Sequence, residues 1–194
     1  MTTHPIDRRT LLCALGALAI APLARAGALP GDSIYQLDAR LVDQHGQGFE
    51  LASRRGQPML VSMFYSSCQM VCPMIFETIH ATLKALPAEE AAAMRVLMVS
   101  FDPARDTVDV LARTAAAHTC DSRWTLARAD EATARAIAAV LGIQYRRLQS
   151  GEYNHSAVIE LVDRDGRIAA KTASLGKVDA SFVKALHRSR EGAE

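Results

Sequence analysis

The sequence predicts an α/β protein with a central mixed sheet flanked by helices. Three observations support this prediction: strand and helix patterns alternate in the first half of the chain, a hairpin pattern comes late, and a helical pattern closes the sequence. Alternation favours parallel pairing, because a crossover helix separates successive strands, whereas a hairpin adds an antiparallel strand. A sheet that contains both kinds of pairing is mixed.

The individual elements follow from hydrophobic period and turn signals. An N-terminal β-hairpin extension is predicted between Gly31 and Gly56, where two alternating stretches flank a turn at 43–48. A second hairpin turns at Asp165-Gly166. The strand patterns are 35–41, 48–51, 59–65, 95–101, 157–162 and 167–172. The helical patterns are 74–86, 107–117, 131–141 and 180–190.

Residues 1–26 resemble an export signal peptide. Arg8 and Arg9 precede an apolar stretch too short for a comfortable membrane span, and Ala24-Arg25-Ala26 has the form of a signal-peptidase site. The paired arginines also resemble a twin-arginine signal, and an uncleaved anchor is the alternative. In either case we predict that residues 27–194 form a single domain outside the cytoplasm, in a bacterial periplasm.

The charge balance excludes one class of partner. Without the charged residues of 1–26, the 22 basic and 21 acidic residues become 19 and 20. Nucleic-acid binding is not expected, because neutralising phosphates requires clustered Lys and Arg, and the chain has no basic stripe. Contact with a membrane is predicted only through the N-terminal segment, should it remain uncleaved.

The most informative feature is the pair Cys68 and Cys72, which follows the apolar run 59–65 and precedes a helical pattern. Cysteines four residues apart lie about one helical turn from each other, so their sulfurs can converge on one small object. That object is either a disulfide between them or a soft metal ion such as Cu(I). Cys13 falls in the predicted signal peptide, and Cys120 is predicted to be a spare thiol too distant to pair with either cysteine.

A dithiol at the end of a buried strand that opens a helix is the thioredoxin-like pattern. The unpaired N–H groups and positive dipole end of that helix stabilise thiolate over thiol. Thiolate is the form that attacks disulfides and also the form that binds metal. The pair alone therefore leaves redox chemistry and metal binding open.

His155 stands just before the apolar strand pattern 157–162. In a thioredoxin-like fold, the loop that enters this strand faces the helix that carries the cysteines. An imidazole there completes a site of two sulfurs and one nitrogen. Such a set is soft enough to prefer copper and too rich in thiolate for calcium or magnesium.

Three segments in order, FYSSCQMVCP (64–73), SFDPARDT (100–107) and NHSA (154–157), resemble the SCO (SenC/PrrC-like) family over about residues 33–187. The resemblance implies a thioredoxin-like copper chaperone that delivers copper to the Cu-A centre of cytochrome c oxidase or of a related respiratory copper enzyme. The recipient would be a Cu-A-bearing oxidase subunit or another copper protein. The resemblance also implies that Cys68, Cys72 and His155 are the copper ligands, with 102–107 beside them.

The chain departs from the family pattern between its two cysteines. Many members carry Pro-Asp where this chain has Gln69-Met70. Loss of the acidic residue lowers affinity for Cu(II) more than for Cu(I), because the harder ion gains more from an anionic, oxygen-rich surrounding. Cu(I) is therefore the favoured cargo, with Cu(II) as the alternative. We interpret Met70 as a packing residue, with a thioether ligand as the alternative.

Two other functions use the same cysteines. A thiol–disulfide oxidoreductase would use Cys68 and Cys72 as a redox pair to reduce the cysteines of the copper-accepting partner. A peroxide-reducing or redox-sensing protein is the third interpretation, but the residues before Cys68 lack its Thr-x-x-Cys setting. Met63, Met74, Met94 and Met98 are predicted to lie in the core. His45, His80 and His118 are not expected to be ligands, and His187 is expected to complement the dipole at the end of the last helix.

Overall fold

The computed structural model describes residues 28–191. The predicted signal peptide, its cleavage site and Cys13 lie outside these residues, so the predictions that concern them stay predictions. None of the helices within 28–191 combines the length and the apolar character that crossing a bilayer requires.

The described residues contain a seven-stranded sheet and a separate strand pair. The strands are β1 (Arg40–Asp43), β2 (Gly48–Glu50), β3 (Met59–Phe64), β4 (Arg95–Ser100), β5 (Trp124–Arg128), β6 (Tyr145–Arg147), β7 (Tyr153–His155), β8 (Ile159–Val162) and β9 (Ile168–Thr172). The central order is β2-β1-β5-β4-β3-β8-β9, and β6 pairs with β7. Because β3, β4 and β5 are parallel and the remaining pairs antiparallel, the predicted mixed sheet is confirmed.

Helices cover both faces of the sheet. They are α1 (Val71–Lys84), α2 (Ala88–Ala93), α3 (Val108–Ala117), α4 (Glu131–Val140) and α5 (Ala180–Glu191). Phe76 of α1 packs edge-on against Phe64 at 5.6 Å between ring centroids, while on the opposite face Ile137 of α4 lies with Val61 and Leu97. Side chains alternate between faces along a strand, which is why Phe64 and Val61 of β3 contact different helices.

The helices α3 and α4 begin at caps that the sequence encodes, whereas α1 does not. The Thr107 hydroxyl accepts a hydrogen bond from the Val110 N–H, and the Asp130 carboxylate accepts one from the Thr133 N–H. At α1 the N-cap position is occupied by Met70, whose side chain makes no capping hydrogen bond. The first amide groups of α1 therefore need other acceptors.

Most predicted elements are confirmed to within three residues, with one error near the N-terminus. The strand predicted over 35–41 is wrong in its first half, because Ile34–Gln36 forms a 3-10 helix. The Ser33 hydroxyl caps that helix by accepting from the Tyr35 N–H, and β1 begins only at Arg40. The hairpin of β1 and β2 is confirmed, and it joins the central sheet through β5.

The sequence patterns miss the short elements. Trp124 is buried, but the patterns do not reveal the strand β5 that it opens. The helix α2 has six residues and buries none of them, so it leaves no apolar period to detect. The strands β6 and β7 are three residues each, and most of their side chains are polar.

Glu160, a buried carboxyl group on β8, generates a prediction about stability. Its side chain is 2% exposed, and its Oε2 lacks a hydrogen-bond partner among the described residues. Burial raises the pKa of Glu160 to about 7, although the positive charge of Lys171 acts to lower it. The folded protein therefore holds a proton that the unfolded chain releases near pH 4.5. This contribution to stability is present below about pH 4.5 and is lost as the pH rises to about 7.

We expect Glu160→Gln to remove this pH dependence, because an amide has no proton to lose. Relative to the wild type, the variant should gain up to about 3 kcal/mol in free energy of unfolding between about pH 4.5 and about pH 8. Urea denaturation of both proteins at the two pH values measures the difference. If the variant and the wild type differ in free energy of unfolding by the same amount at both pH values, the raised pKa of Glu160 is contradicted.

Candidate metal centre

Three side chains with metal-binding atoms converge at the carboxyl end of β3. One ligand atom each from Cys68, Cys72 and His155 lies within 4.8 Å of the other two. The Sγ of Cys72 is 3.9 Å from the Nε2 of His155. No other group of three His, Cys, Asp or Glu side chains within residues 28–191 is as close. The structure thus brings together the three residues that the sequence predicts as ligands.

Strand pairing explains why His155 meets cysteines so far away in sequence. Strand β8 runs antiparallel to β3, with Met59 opposite Val162. His155 ends β7, four residues before β8 begins at Ile159, and β8 enters the sheet beside the end of β3 that leads to Cys68. The Ser62 hydroxyl on β3 also donates to the Val158 carbonyl at 2.6 Å, which holds the chain between β7 and β8 against β3.

The Cys68 sulfur lies where it can accept hydrogen bonds from the start of α1. The Cys72 N–H donates to Cys68 Sγ at 3.3 Å. The sulfur is therefore the acceptor for one of the helix amides that the Met70 side chain leaves uncapped. Partial burial raises the pKa of the Cys68 thiol. Hydrogen bonds from the N–H groups of Cys72 and Met70, with a smaller contribution from the Cys72 side chain, outweigh this effect and lower the pKa to about 7. Cys68 is therefore the thiolate of the pair near neutral pH.

Cys72 is the protected partner. It lies in the first turn of α1 and is only 2% exposed. Burial raises the pKa of Cys72 well above its ordinary value, and the neighbouring charges of Cys68 and Asp106 raise it further, against a hydrogen bond from the Tyr65 backbone. The pair thus combines one accessible thiolate with one buried thiol.

The His155 ring is oriented with one nitrogen free for a ligand. Its Nδ1 is 3.1 Å from the Ser156 carbonyl oxygen. Because a carbonyl only accepts, Nδ1 carries the proton and the lone pair resides on Nε2, which faces Cys72. The Tyr65 and Phe101 rings pack around the imidazole with centroids at 5.8 and 5.1 Å. This orientation is the one that a metal-binding histidine requires.

A buried carboxylate fixes the loop that leads to Cys68. Asp106 is fully buried and accepts hydrogen bonds from the Ser66 N–H, the Ser66 hydroxyl and the Ser100 hydroxyl. It therefore ties the loop after β3 to the end of β4. Thr107 caps α3, whereas Asp106, the residue before it, points to the loop before Cys68.

Further contacts fix the segment that carries His155. Asp102 is 3% exposed, pairs with Arg105 and accepts from the Tyr153 hydroxyl at 3.2 Å. Arg105 also donates to the Gly151 carbonyl at 2.8 Å. The Tyr65 hydroxyl donates to Glu152 at 2.8 Å. The loop 102–107 thus lies beside the site, as the resemblance implies, and it anchors the strand that presents the histidine.

An open cavity of about 500 Å³ adjoins the cluster, and Cys68, Met70, Glu152 and His155 contribute to its lining. Met70 is 74% exposed, so its interpretation as a packing residue is wrong. Met74 is 37% exposed, which also contradicts its predicted place in the core. The other three methionines predicted to be buried are confirmed: Met63, Met94 and Met98.

The remaining thiol and histidines lie elsewhere among the described residues. Cys120 is a free thiol in a groove beside Trp124, and burial raises its pKa to about 12. The His80 ring Nε2 donates to the His118 carbonyl at 2.8 Å, and the His118 ring stacks on Phe76 at 4.0 Å. These contacts explain both histidines by packing.

We expect Cys68 to be alkylated by iodoacetamide at a rate that rises with pH, reaches half its maximum near pH 7 and then levels off, because its pKa is about 7. Cys72 should react far more slowly over this range, since it is buried and its pKa is raised. Mass spectrometry of quenched samples measures both rates. Equal rates at the two cysteines would contradict this asymmetry.

Asp106→Ala should destabilise the fold by about 2–4 kcal/mol, because the substitution leaves a buried amide and two hydroxyls without their acceptor. Asp109→Ala is the matched control, since Asp109 is an exposed carboxylate in the first turn of α3. Its loss should cost less than about 1 kcal/mol. Chemical denaturation of both variants measures the contrast, and equal losses would show that Asp106 acts only as a helix-terminal charge.

Comparison with known proteins finds relatives in sequence and in structure. A Stutzerimonas stutzeri protein named for copper binding is 30% identical over 102 residues, which cover 53% of this chain and 45% of that protein. The mitochondrial protein SCO2 homolog of Bos taurus is 32% identical over 90 residues, which cover 46% of this chain and 34% of that protein. The matches thus span less than half the length of either curated relative.

Solved structures extend the likeness over most of the chain. The structure of Bradyrhizobium japonicum ScoI with copper bound is 26% identical, covers 77% of this chain and 96% of that one, and superposes with a TM-score of 0.65. This likeness confirms the thioredoxin-like fold. The family model SCO1/SenC matches residues 30–188. The chain therefore belongs to the SCO1/SenC family.

Proposed function

We propose that the protein binds one copper ion through Cys68, Cys72 and His155 and delivers it to the Cu-A centre of cytochrome c oxidase or of a related respiratory copper enzyme. The observation that carries this proposal is the convergence of two sulfurs and an imidazole nitrogen within 4.8 Å. Copper is bound in the ScoI structure and named in the Stutzerimonas stutzeri relative, which supports the choice of metal.

The donor set fits copper in its reduced state. Two sulfurs and one imidazole form a soft set, and no carboxylate belongs to the cluster. The Nε2 lone pair of His155 already faces the Cys72 sulfur at 3.9 Å, so a three-coordinate ion needs little rearrangement of the side chains. Cu(I) is accordingly the proposed cargo, and Cu(II) is the alternative.

Release follows from the unequal exposure of the ligands. Cys68 and His155 are partly exposed and face the open cavity, whereas Cys72 is buried. An incoming thiolate or imidazole of the recipient therefore displaces Cys68 or His155 first and Cys72 last. The copper moves by ligand exchange without entering water. Oxidation of the two cysteines to a disulfide removes two ligands together and prevents binding.

A second candidate function is reduction of the recipient's cysteines, and the asymmetry of the thiols favours it. The Cys68 thiolate attacks the recipient's disulfide, forming a mixed disulfide and releasing one recipient thiolate. Cys72 then loses its proton and attacks the Cys68 sulfur, which releases the second thiolate and leaves a Cys68–Cys72 disulfide. The two electrons come from this pair, so each further cycle requires an external dithiol.

We place this activity outside the cytoplasm, in the periplasm, with export directed by the predicted signal within residues 1–26. Attachment to a membrane would occur only through that segment if it is retained. A Cu-A-bearing oxidase subunit or another copper protein would be the recipient, and no nucleic acid would take part.

We expect the reduced protein to hold one Cu(I) per chain against a coloured chelator in an anaerobic titration. A Cys13→Ser, Cys120→Ser background leaves only the two cysteines of the cluster to bind copper. His155→Ala should weaken binding at least about tenfold, because one of three ligands is lost. His45→Ala is the matched control, since His45 is exposed in the turn between β1 and β2, and it should have no effect.

The outcome separates the two functions. Weak copper binding that is indifferent to His155, together with rapid disulfide exchange at Cys68 and Cys72, would favour the reductase.

Delivery itself is measured by mixing the Cu(I)-loaded protein with the reduced apo Cu-A domain of a bacterial cytochrome c oxidase and following the Cu-A absorbance after oxidation. A carrier that keeps its copper in this mixture would contradict delivery to Cu-A.

A further inference from the structure

We propose that the thioether of Met70 is a further ligand for the copper ion, contributed from the exposed side of the Cys68–Cys72–His155 cluster. This inference rests on the proposed function, because it concerns the same ion. It assigns a role to a residue that neither packing nor helix capping explains.

The exposure of Met70 sets it apart from the buried methionines. Its side chain is 74% exposed, whereas the core methionines are at most 2% exposed: Met59, Met63, Met94 and Met98. The side chain makes no capping hydrogen bond, although it stands at the N-cap of α1. Ser, Thr, Asp and Asn are the residues that stabilise a helix at this position. The residue is therefore not accounted for by local structure.

Met70 is within reach of the site. It stands two residues after Cys68 and directly before the first turn of α1, which carries Cys72. Its side chain lines the same cavity as Cys68 and His155. Methionine is unbranched and has three rotatable side-chain bonds, and its high exposure leaves them free to turn. The sulfur can therefore rotate toward an ion held by the cluster.

The chemistry of the cavity favours the thioether over its other donors. The carboxylate of Glu152 is engaged by the Tyr65 hydroxyl. The side chains of Gln69 and Asn154 offer only hard amide oxygens and nitrogens. A thioether is soft and neutral, so it suits Cu(I) and adds no charge to a site that already has two thiolates. An exposed, flexible ligand is also the easiest to replace, which suits an ion that must leave.

Met74 supplies the matched control. It lies one turn further along α1 and is partly exposed, but it is not among the residues that line the cavity. Its methyl group is instead directed at Gly176, where a Cβ on the glycine would meet it at 3.5 Å. Leucine at either position keeps an apolar side chain of similar volume and removes the sulfur.

The test is selenium K-edge X-ray absorption of the reduced, selenomethionine-substituted protein loaded with one Cu(I) per chain. We expect the selenium spectrum to show a copper neighbour at direct-bond distance. The amplitude of this copper–selenium signal should be near one seventh of that expected if every selenium bound copper, because the chain has seven methionines and one of them is the ligand. Met70→Leu should abolish this signal and Met74→Leu should retain it. Met70→Leu should also weaken Cu(I) binding by roughly threefold to tenfold in the chelator titration, with the fold unchanged by circular dichroism.

Two results would overturn the inference. If one Cu(I) is bound and depends on His155, but selenium shows no copper neighbour, the three-ligand site stands and Met70 takes no part. If the copper–selenium signal persists in Met70→Leu, another methionine is the ligand. Failure of the proposed function has a different signature, because copper would then bind weakly in the wild type and in every variant alike.

Discussion

The site depends on the unequal pairing of the two edges of strand β3. This strand is parallel to β4 on one edge and antiparallel to β8 on the other. Parallel pairing brings the loops after β3 and β4 to the same edge of the sheet, and antiparallel pairing brings the entry to β8 to that edge as well. Three segments from distant parts of the sequence therefore meet at one point. Cys68, the loop 102–107 and His155 lie on these segments.

Buried carboxylates hold the segments that carry Cys68 and His155 in a fixed position. Asp106 holds the loop before Cys68, and Asp102, through Arg105 and Tyr153, holds the segment before His155. A buried carboxylate is costly unless it is hydrogen-bonded, so each of these groups is stable only while the loops stay in place. The cluster is rigid on its buried side as a result. On the exposed side, the neighbouring Met70 side chain is 74% exposed.

Much of this arrangement is predictable because it follows from long-range patterns. The strands β3 and β4 are continuous apolar runs, and the turn at Asp165-Gly166 fixes the late hairpin, so the meeting of Cys68, Cys72 and His155 follows from topology. The role of Asp106 does not. An acidic residue before Thr107 suggests a helix cap, and only the folded chain shows that it faces Ser66. The exposure of Met70 cannot be predicted from the sequence for the same reason, because burial depends on neighbours from other segments.

The orientation of His155 helps to distinguish the two functions that the cysteines permit, which are copper transfer and disulfide exchange. Disulfide exchange requires an accessible thiolate and a resolving thiol, and Cys68 and Cys72 already meet that requirement through the start of α1. The imidazole Nε2 faces the buried sulfur of Cys72 rather than solvent, with its Nδ1 proton committed to the Ser156 carbonyl. Nε2 is 3.9 Å from the Cys72 sulfur, so in disulfide exchange it would act on the resolving thiol and not on the attacking thiolate of Cys68. It completes a soft three-atom site, and for this reason the geometry favours the carrier over the reductase.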